Sequence, residues 1–203
     1  MDSPNKIERT LRTTTDPITF ERLVILSNPN STKAALAERQ IGALRQAYPG
    51  RVVAETFRPS KHTGHGLGTL LRPGDILLPA GGDGTLSTII NALLDPSTPA
   101  ILRRTPVLPL GTGRMNDMAR MLNGRHLRDP LYVLRHNHVL SIYPLAFTYT
   151  PRAGSQKPLT LLAPHSIGLG MSGTANNLYN DKIFRTKQQK QPLLVREVTL
   201  FSN

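Results

Sequence analysis

The stretch DILLPAGGDGT at residues 75–85 decides the fold. Its first six residues form an apolar run that predicts a β-strand, and the glycines after it predict a tight turn. The sequence from Thr85 to Leu94 then predicts a helix. A strand that leads through a glycine turn into a helix is the repeating unit of a parallel α/β sheet.

The same alternation extends along the chain on both sides of this stretch. The predicted strands are residues 23–27, 51–57, 75–80 and 105–110, and the predicted helices are residues 33–48, 61–71, 85–94, 116–122 and 129–135. Short strands alternating with helices imply right-handed crossovers. The sequence therefore predicts an α/β fold with a parallel, doubly wound sheet.

Beyond residue 140 the pattern changes to extended runs at residues 141–150, 159–167 and 193–201. We expect a flexible arm at residues 1–20, the α/β domain at 21–138 and the start of a second, β-rich domain at 139–203. The last run ends two residues before the end of the sequence. The antiparallel β region is therefore expected to be incomplete.

Composition excludes several classes of protein. Cysteine is absent, which excludes disulfides and thiolate chemistry, and no apolar stretch reaches the roughly 18 to 20 residues of a membrane span, so we expect a cytoplasmic protein. The net charge is +12, and residues 101–203 contribute 14 basic and 4 acidic residues to it. This excess predicts an anionic partner: a phosphorylated molecule, an acidic membrane surface or a nucleic acid. Nucleic acid is the least favoured because aromatic residues make up only 5% of the chain.

Loops rich in glycine and hydroxyl side chains follow three of the predicted strands. The first contains Asn28, Pro29, Asn30, Ser31 and Thr32, the second Gly81, Gly82, Asp83, Gly84 and Thr85, and the third Gly111, Thr112 and Gly113. We expect all three at the carboxyl edge of the sheet, where glycines and helix N-termini can present N–H groups to a polyphosphate. Each loop alone is equally compatible with a tight connection that binds nothing.

Asp83 is the single carboxylate in these loops. Beside an anion it would repel phosphate unless a Mg²⁺ ion or a sugar hydroxyl lay between them. The alternative is a purely structural role in an Asx turn or a helix cap. The histidine pair His62 and His65 lacks a third ligand at useful spacing, and we expect both residues to be solvated.

Three motifs together resemble the catalytic domain of the diacylglycerol kinase family, which includes sphingosine, ceramide and bacterial lipid kinases. They are NPNS at 28–31, GGDGT at 81–85, and PLGTG at 109–113 leading into NDMAR at 116–120. The resemblance implies an ATP:lipid phosphotransferase of two domains that requires Mg²⁺. By this resemblance ATP is bound by four segments: Asn28 to Thr32, Thr56, Gly81 to Ser87 (which includes Leu86), and Gly111 to Gly113.

The resemblance also implies roles in catalysis. Asp83 would organise Mg²⁺ and the phosphates, and Asn116 and Asp117 would serve the acceptor side or brace the third loop. No general base is identified, because the acids that remain after residue 171 lie in no recognisable family context. The chain departs from the family pattern at Thr32, at Ser87–Thr88 and at an insertion of Arg114 and Met115.

Three functions follow from these observations. The first is a lipid kinase that transfers the γ-phosphate of ATP to a diacylglycerol-like hydroxyl, with peripheral contact to an anionic membrane through the basic second half. The second is a nucleotide-binding homologue without catalysis. The third is a kinase of a soluble acceptor such as NAD.

Overall fold

A parallel sheet of three strands organises the described part of the protein. The computed structural model describes residues 19–114, 116–123, 126, 128–136, 145–149 and 159–163. The strands are β1 (Arg22–Ser27), β2 (Val52–Thr56) and β3 (Asp75–Ala80), in the order β2-β1-β3. Ser27 of β1 is in register with both Thr56 and Ala80, so the three strands end at the same level.

Helices connect and follow these strands. The helices are α1 (Ala34–Ala47), α2 (Gly64–Leu70), α3 (Asp83–Leu94), α4 (Asp117–Asn123) and α5 (Pro130–His136). A short 3-10 turn at Leu102–Arg104, which the sequence did not predict, follows α3. No helix among the described residues is both long enough and apolar enough to cross a membrane.

Apolar side chains of β1 alternate between the two faces of the sheet. Leu23 and Ile25 pack in a cluster with Leu44 of α1, whereas Val24 and Leu26 pack in a second cluster with residues of α2 and α3. Full burial of such a side chain stabilises the fold by about 2 kcal/mol. Helices therefore cover both faces, which confirms the predicted parallel α/β architecture.

The predicted fourth strand, residues 105–110, is wrong as a regular strand. This segment runs parallel to β3 through one bridge between Leu77 and Val107 and through N–H bonds from Leu108 to Leu77 O and from Leu110 to Pro79 O, both 2.9 Å. Pro79 of β3 has no N–H group to donate to Leu108 O, and Pro106 has none to donate to β3, so a continuous ladder cannot form. The segment nevertheless delivers residue 111 to the carboxyl edge of the sheet.

Two further strands pair outside this sheet. The strands β4 (Leu145–Tyr149) and β5 (Leu159–Ala163) are antiparallel, with Leu145 opposite Ala163. Both lie within the extended runs predicted at 141–150 and 159–167. The third predicted run, 193–201, lies outside the described residues, and the domain boundaries and the incompleteness of the β region stay predictions.

Candidate functional site

The three predicted loops meet at the carboxyl edge of the sheet. We name them the Asn28 loop (residues 28–32), the Gly81 loop (81–85) and the Gly111 loop (111–113). The Asn28 N–H donates to Ala80 O at 2.8 Å, and the Asn28 side-chain amide donates to Thr85 Oγ1 at 2.8 Å. One asparagine therefore joins the end of β1 to the end of β3 and to the first turn of α3.

The Asn28 loop is also bonded to the Gly111 loop. The Ser31 hydroxyl and the Lys33 N–H both donate to the carbonyl of Thr112, the latter at 3.1 Å. Within the loop, the Asn28 side chain accepts the N–H of Asn30 at 3.0 Å in an Asx turn. The loop is thus held in one shape by its own side chain and by its neighbour.

Backbone contact between glycines joins the Gly81 loop to the Gly111 loop. Gly81 O accepts the N–H groups of Thr112 at 3.1 Å and Gly113 at 3.0 Å. A Cβ atom on Gly113 would lie 2.1 Å from Gly82 Cα, and one on Gly81 would lie 2.5 Å from Thr85 Oγ1. Only glycine allows the two loops to approach this closely.

The first turn of α3 presents backbone N–H groups at the centre of this site. Gly82 is the N-cap residue of α3, and no side chain caps this end of the helix. The Gly82 carbonyl accepts the N–H of Leu86 at 3.1 Å. Helix geometry leaves the N–H groups of Asp83, Gly84 and Thr85 without intrahelical acceptors. Such groups, together with the helix dipole, favour an anion.

The Asp83 carboxylate caps a second helix. Its Oδ2 accepts the N–H of Asp117 at 3.1 Å and its Oδ1 accepts the N–H of Met118 at 3.2 Å. Both groups belong to the first turn of α4. Of the two roles that the sequence left open for Asp83, the structure shows a helix cap, and the capped helix is α4 rather than its own α3.

Asn116 occupies the N-cap position of α4, with its carbonyl accepting the N–H of Arg120 at 2.9 Å. Its φ angle of +57° lies in the left-handed region, and the residue is only 1% exposed. Its side-chain amide donates to Gly113 O at 2.6 Å, while its Oδ1 is buried without a hydrogen-bond partner. Asn116 therefore braces the Gly111 loop, and Asp83 takes the capping role that an N-cap asparagine usually has.

The predicted binding residues differ in accessibility. Exposed residues are Pro29, Asn30, Thr32, Thr56 and Gly84, and half-buried residues are Asn28, Ser31, Gly82, Asp83, Ser87 and Asp117. Thr112 is fully buried and Leu86 is 4% exposed. The loops lie together as predicted, but the Thr112 side chain is turned away from solvent and lies 3.4 Å from the Ser31 hydroxyl.

The loop that follows Thr56 is held by a histidine that we expected to be solvated. That expectation is wrong for His62, which is 1% exposed and stacks on Phe57 with ring centroids 5.7 Å apart. Its Nδ1 accepts the Arg58 N–H at 3.0 Å. The sequence shows a histidine pair in a polar stretch and does not reveal that the Phe57 ring packs against His62.

Glu55 lies at the entrance to the same loop. Its carboxylate accepts a hydrogen bond from the Lys61 ammonium at 2.6 Å and has His62 Nε2 at 3.5 Å. The hydrogen bond from Lys61 is the main cause that lowers the pKa of Glu55, and His62 contributes in the same direction. The ion pair fastens the loop to the end of β2.

Two carboxylates near the loops could hold a metal ion, those of Asp83 and Asp117. Each Asp83 oxygen accepts one N–H group and keeps a further lone pair, and the Asp117 carboxylate lies 3.9 Å from Arg120 Nη1. No group of three or more acidic or histidine ligands occurs among the described residues. Mg²⁺ is commonly bound by one or two carboxylates together with substrate phosphates, so the donor type of these two side chains suits such an ion.

Comparison with known proteins identifies one family. The model of the diacylglycerol kinase catalytic domain matches residues 22–143, which is more than half of the chain. Among curated proteins, none matches. The matched range begins at the first residue of β1 and includes the three loops and the Asn116–Asp117 pair.

Proposed function

The chain belongs to the diacylglycerol kinase catalytic domain family, and we propose that it transfers the γ-phosphate of ATP to the hydroxyl of a diacylglycerol-like lipid. The observation that carries the proposal is the bonding of three loops into one site around the first turn of α3. The Asn28 loop contacts the other two through Asn28 and Ser31. A triphosphate bound there would lie against backbone donors held rigid by this network.

Backbone donors and a helix N-terminus supply what phosphoryl transfer requires. The transition state spreads negative charge over the phosphoryl oxygens, so catalysis rests on positioning and on neutralising that charge. The free N–H groups of Gly84 and Thr85 would face the phosphates of ATP. Mg²⁺, held by Asp83 and Asp117 with the nucleotide, would supply further neutralisation of the phosphate charge.

The chemical step joins the lipid hydroxyl oxygen to the γ-phosphorus and breaks the bond from that phosphorus to the β,γ-bridging oxygen of ATP. The products are a lipid phosphate and ADP, and the hydroxyl proton leaves to a base. We assign no residue to that base. Contact with an anionic membrane, supported by the net charge of +12, and a cytoplasmic location are further parts of the proposal.

Transfer of radiolabel from [γ-³²P]ATP by the full chain tests the proposal. Diacylglycerol and ceramide in mixed micelles would be supplied in parallel with NAD as a soluble acceptor. We expect label in lipid, and we expect Asn28→Ala to lower the rate at least about tenfold, since it removes the bond to Thr85 and the Asx turn. Arg45→Ala on the exposed side of α1 is the matched control and should retain the wild-type rate.

The acceptor arms separate the possible outcomes. Label in NAD and none in lipid would replace the lipid acceptor with a soluble one. ATP binding without transfer to any acceptor would identify a non-catalytic nucleotide-binding protein. Absence of both binding and transfer would refute the proposal altogether.

A further inference from the structure

We infer that Asp83 is a positioning residue, which fixes α4 and the Asn116–Asp117 pair against the Gly81 loop. The observation is that both oxygens of one carboxylate accept N–H groups from the first turn of α4, at 3.1 and 3.2 Å. The two partners are 34 and 35 residues away in sequence. One side chain thus joins the start of α3 to the start of α4.

The N-cap residue of α4 leaves this role to Asp83. Asn116 would ordinarily accept an N–H group of its own helix, but its side-chain amide is directed to Gly113 O at 2.6 Å. Its Oδ1 is buried and has no hydrogen-bond partner. Without Asp83, the N–H groups of Asp117 and Met118 would have no side-chain acceptor among the described contacts.

The same bonds explain how a carboxylate can lie beside an anion site. Asp83 is the first residue of α3, next to the free N–H groups of Gly84 and Thr85. Two N–H donors from α4 place their partial positive charge against its oxygens. Asp83 therefore bonds to α4 while the N–H groups of α3 remain available to phosphate.

Amide hydrogen exchange of the full chain tests this role without any need for turnover. In the wild type without ligand, the N–H groups of Asp117 and Met118 should exchange at least about tenfold more slowly than those of Gly84 and Thr85, which have no acceptor. Equal rates in the two helices would overturn the inference.

Variants give a second, independent measurement. Asp83→Ala should speed exchange at both Asp117 and Met118 about five- to tenfold, as loss of a helix cap does. Asp83→Asn, whose amide keeps one acceptor oxygen, should protect only one of these two N–H groups. The matched control is Asp129→Ala, which removes the bond to Tyr132 N–H at 2.9 Å and should affect α5 and leave α4 unchanged. Unchanged α4 exchange in Asp83→Ala would overturn the inference.

The effect on turnover rests on the proposed function. Positioning predicts that transfer falls together with α4 protection, less in Asp83→Asn, which keeps one acceptor oxygen, than in Asp83→Ala, which keeps none. Wild-type transfer in an Asp83→Ala protein that has lost α4 protection would overturn the positioning role. If the wild-type protein transfers no phosphate, only the proposed function is refuted. The hydrogen-exchange rates of the α3 and α4 N–H groups still test the role of Asp83.

Discussion

At the residue scale, the site depends on two glycines in backbone contact. Gly82 and Gly113 come from loops 31 positions apart, and a methyl group on Gly113 would lie 2.1 Å from Gly82 Cα and 2.6 Å from Gly82 N. Both obstructing atoms belong to the backbone, so no side chain can move aside. Glycine at position 113 is therefore required by packing, apart from any ligand.

Replacement of Gly113 by alanine should separate the two loops. We expect Gly113→Ala to lower the free energy of unfolding by about 2 to 3 kcal/mol, measured by urea denaturation, and to weaken ATP binding at least about tenfold. Gly42→Ala is the matched control, because the Cβ position on Gly42 in α1 has nothing within 4 Å. That variant should be stabilised by about 0.5 to 1 kcal/mol. Wild-type stability in Gly113→Ala would contradict the close contact.

The ion pair of Glu55 with Lys61 makes a small, pH-dependent contribution. Because the pKa of Glu55 is lowered in the folded state, chiefly by the hydrogen bond from Lys61, its contribution is present above the ordinary Glu pKa of about 4.3 and is lost as pH falls through the lowered value. Glu55→Gln should cost less than about 1 kcal/mol at pH 7, since the pair is partly solvated.

Thermal unfolding of wild type and Glu55→Gln across pH 3 to 8 checks this dependence. The difference between the two proteins should shrink toward zero below pH ~4. A difference that grows on acidification would contradict a lowered pKa for Glu55.

At the element scale, the sequence predicted the strands and helices that follow a simple apolar pattern. The bounds of β3 were predicted without error. The strand β1 begins one residue earlier than predicted, and β2 and α1 are each one residue shorter than predicted at both ends. The fourth strand was wrong because prolines interrupt its hydrogen bonding, which an apolar pattern does not reveal. The cap from Asp83 to α4 was also out of reach, since it joins residues 34 positions apart.

Deletion of one large side chain on each face of the sheet tests the layered packing. Leu44 of α1 and Leu67 of α2 are both fully buried, in the two separate apolar clusters. We expect Leu44→Ala and Leu67→Ala each to cost about 2 to 5 kcal/mol in urea denaturation, and their costs to add within about 0.5 kcal/mol. A negligible cost for either would mean that its helix does not cover the sheet.

At the scale of the whole molecule, charge is the property most relevant to a partner. The chain has a net charge of +12, and Arg104, Arg120, Arg128 and Arg135 are exposed. Each basic residue close to an anionic bilayer contributes about 1 kcal/mol, and salt screens that attraction. The proposed lipid acceptor therefore agrees with the sign of the charge.

Co-sedimentation with vesicles tests this electrostatic attraction. Binding to vesicles that contain phosphatidylserine should fall at least about tenfold between roughly 0.05 and 0.5 M salt, and vesicles of phosphatidylcholine alone should bind little. Equal binding to both kinds of vesicle, or binding that does not depend on salt, would contradict the proposed contact with an anionic membrane.

The most direct test of the central claim is amide hydrogen exchange of the full chain with and without saturating MgATP. The three-loop site predicts that exchange slows at residues 82–86 and 28–32, where the free N–H groups of α3 and the exposed Asn28 loop would be covered. The contradictory result is bound ATP with unchanged exchange there, or slowing at the opposite edge of the sheet, around the cavity of about 200 Å³ beside Gly74, Ile101 and Arg104.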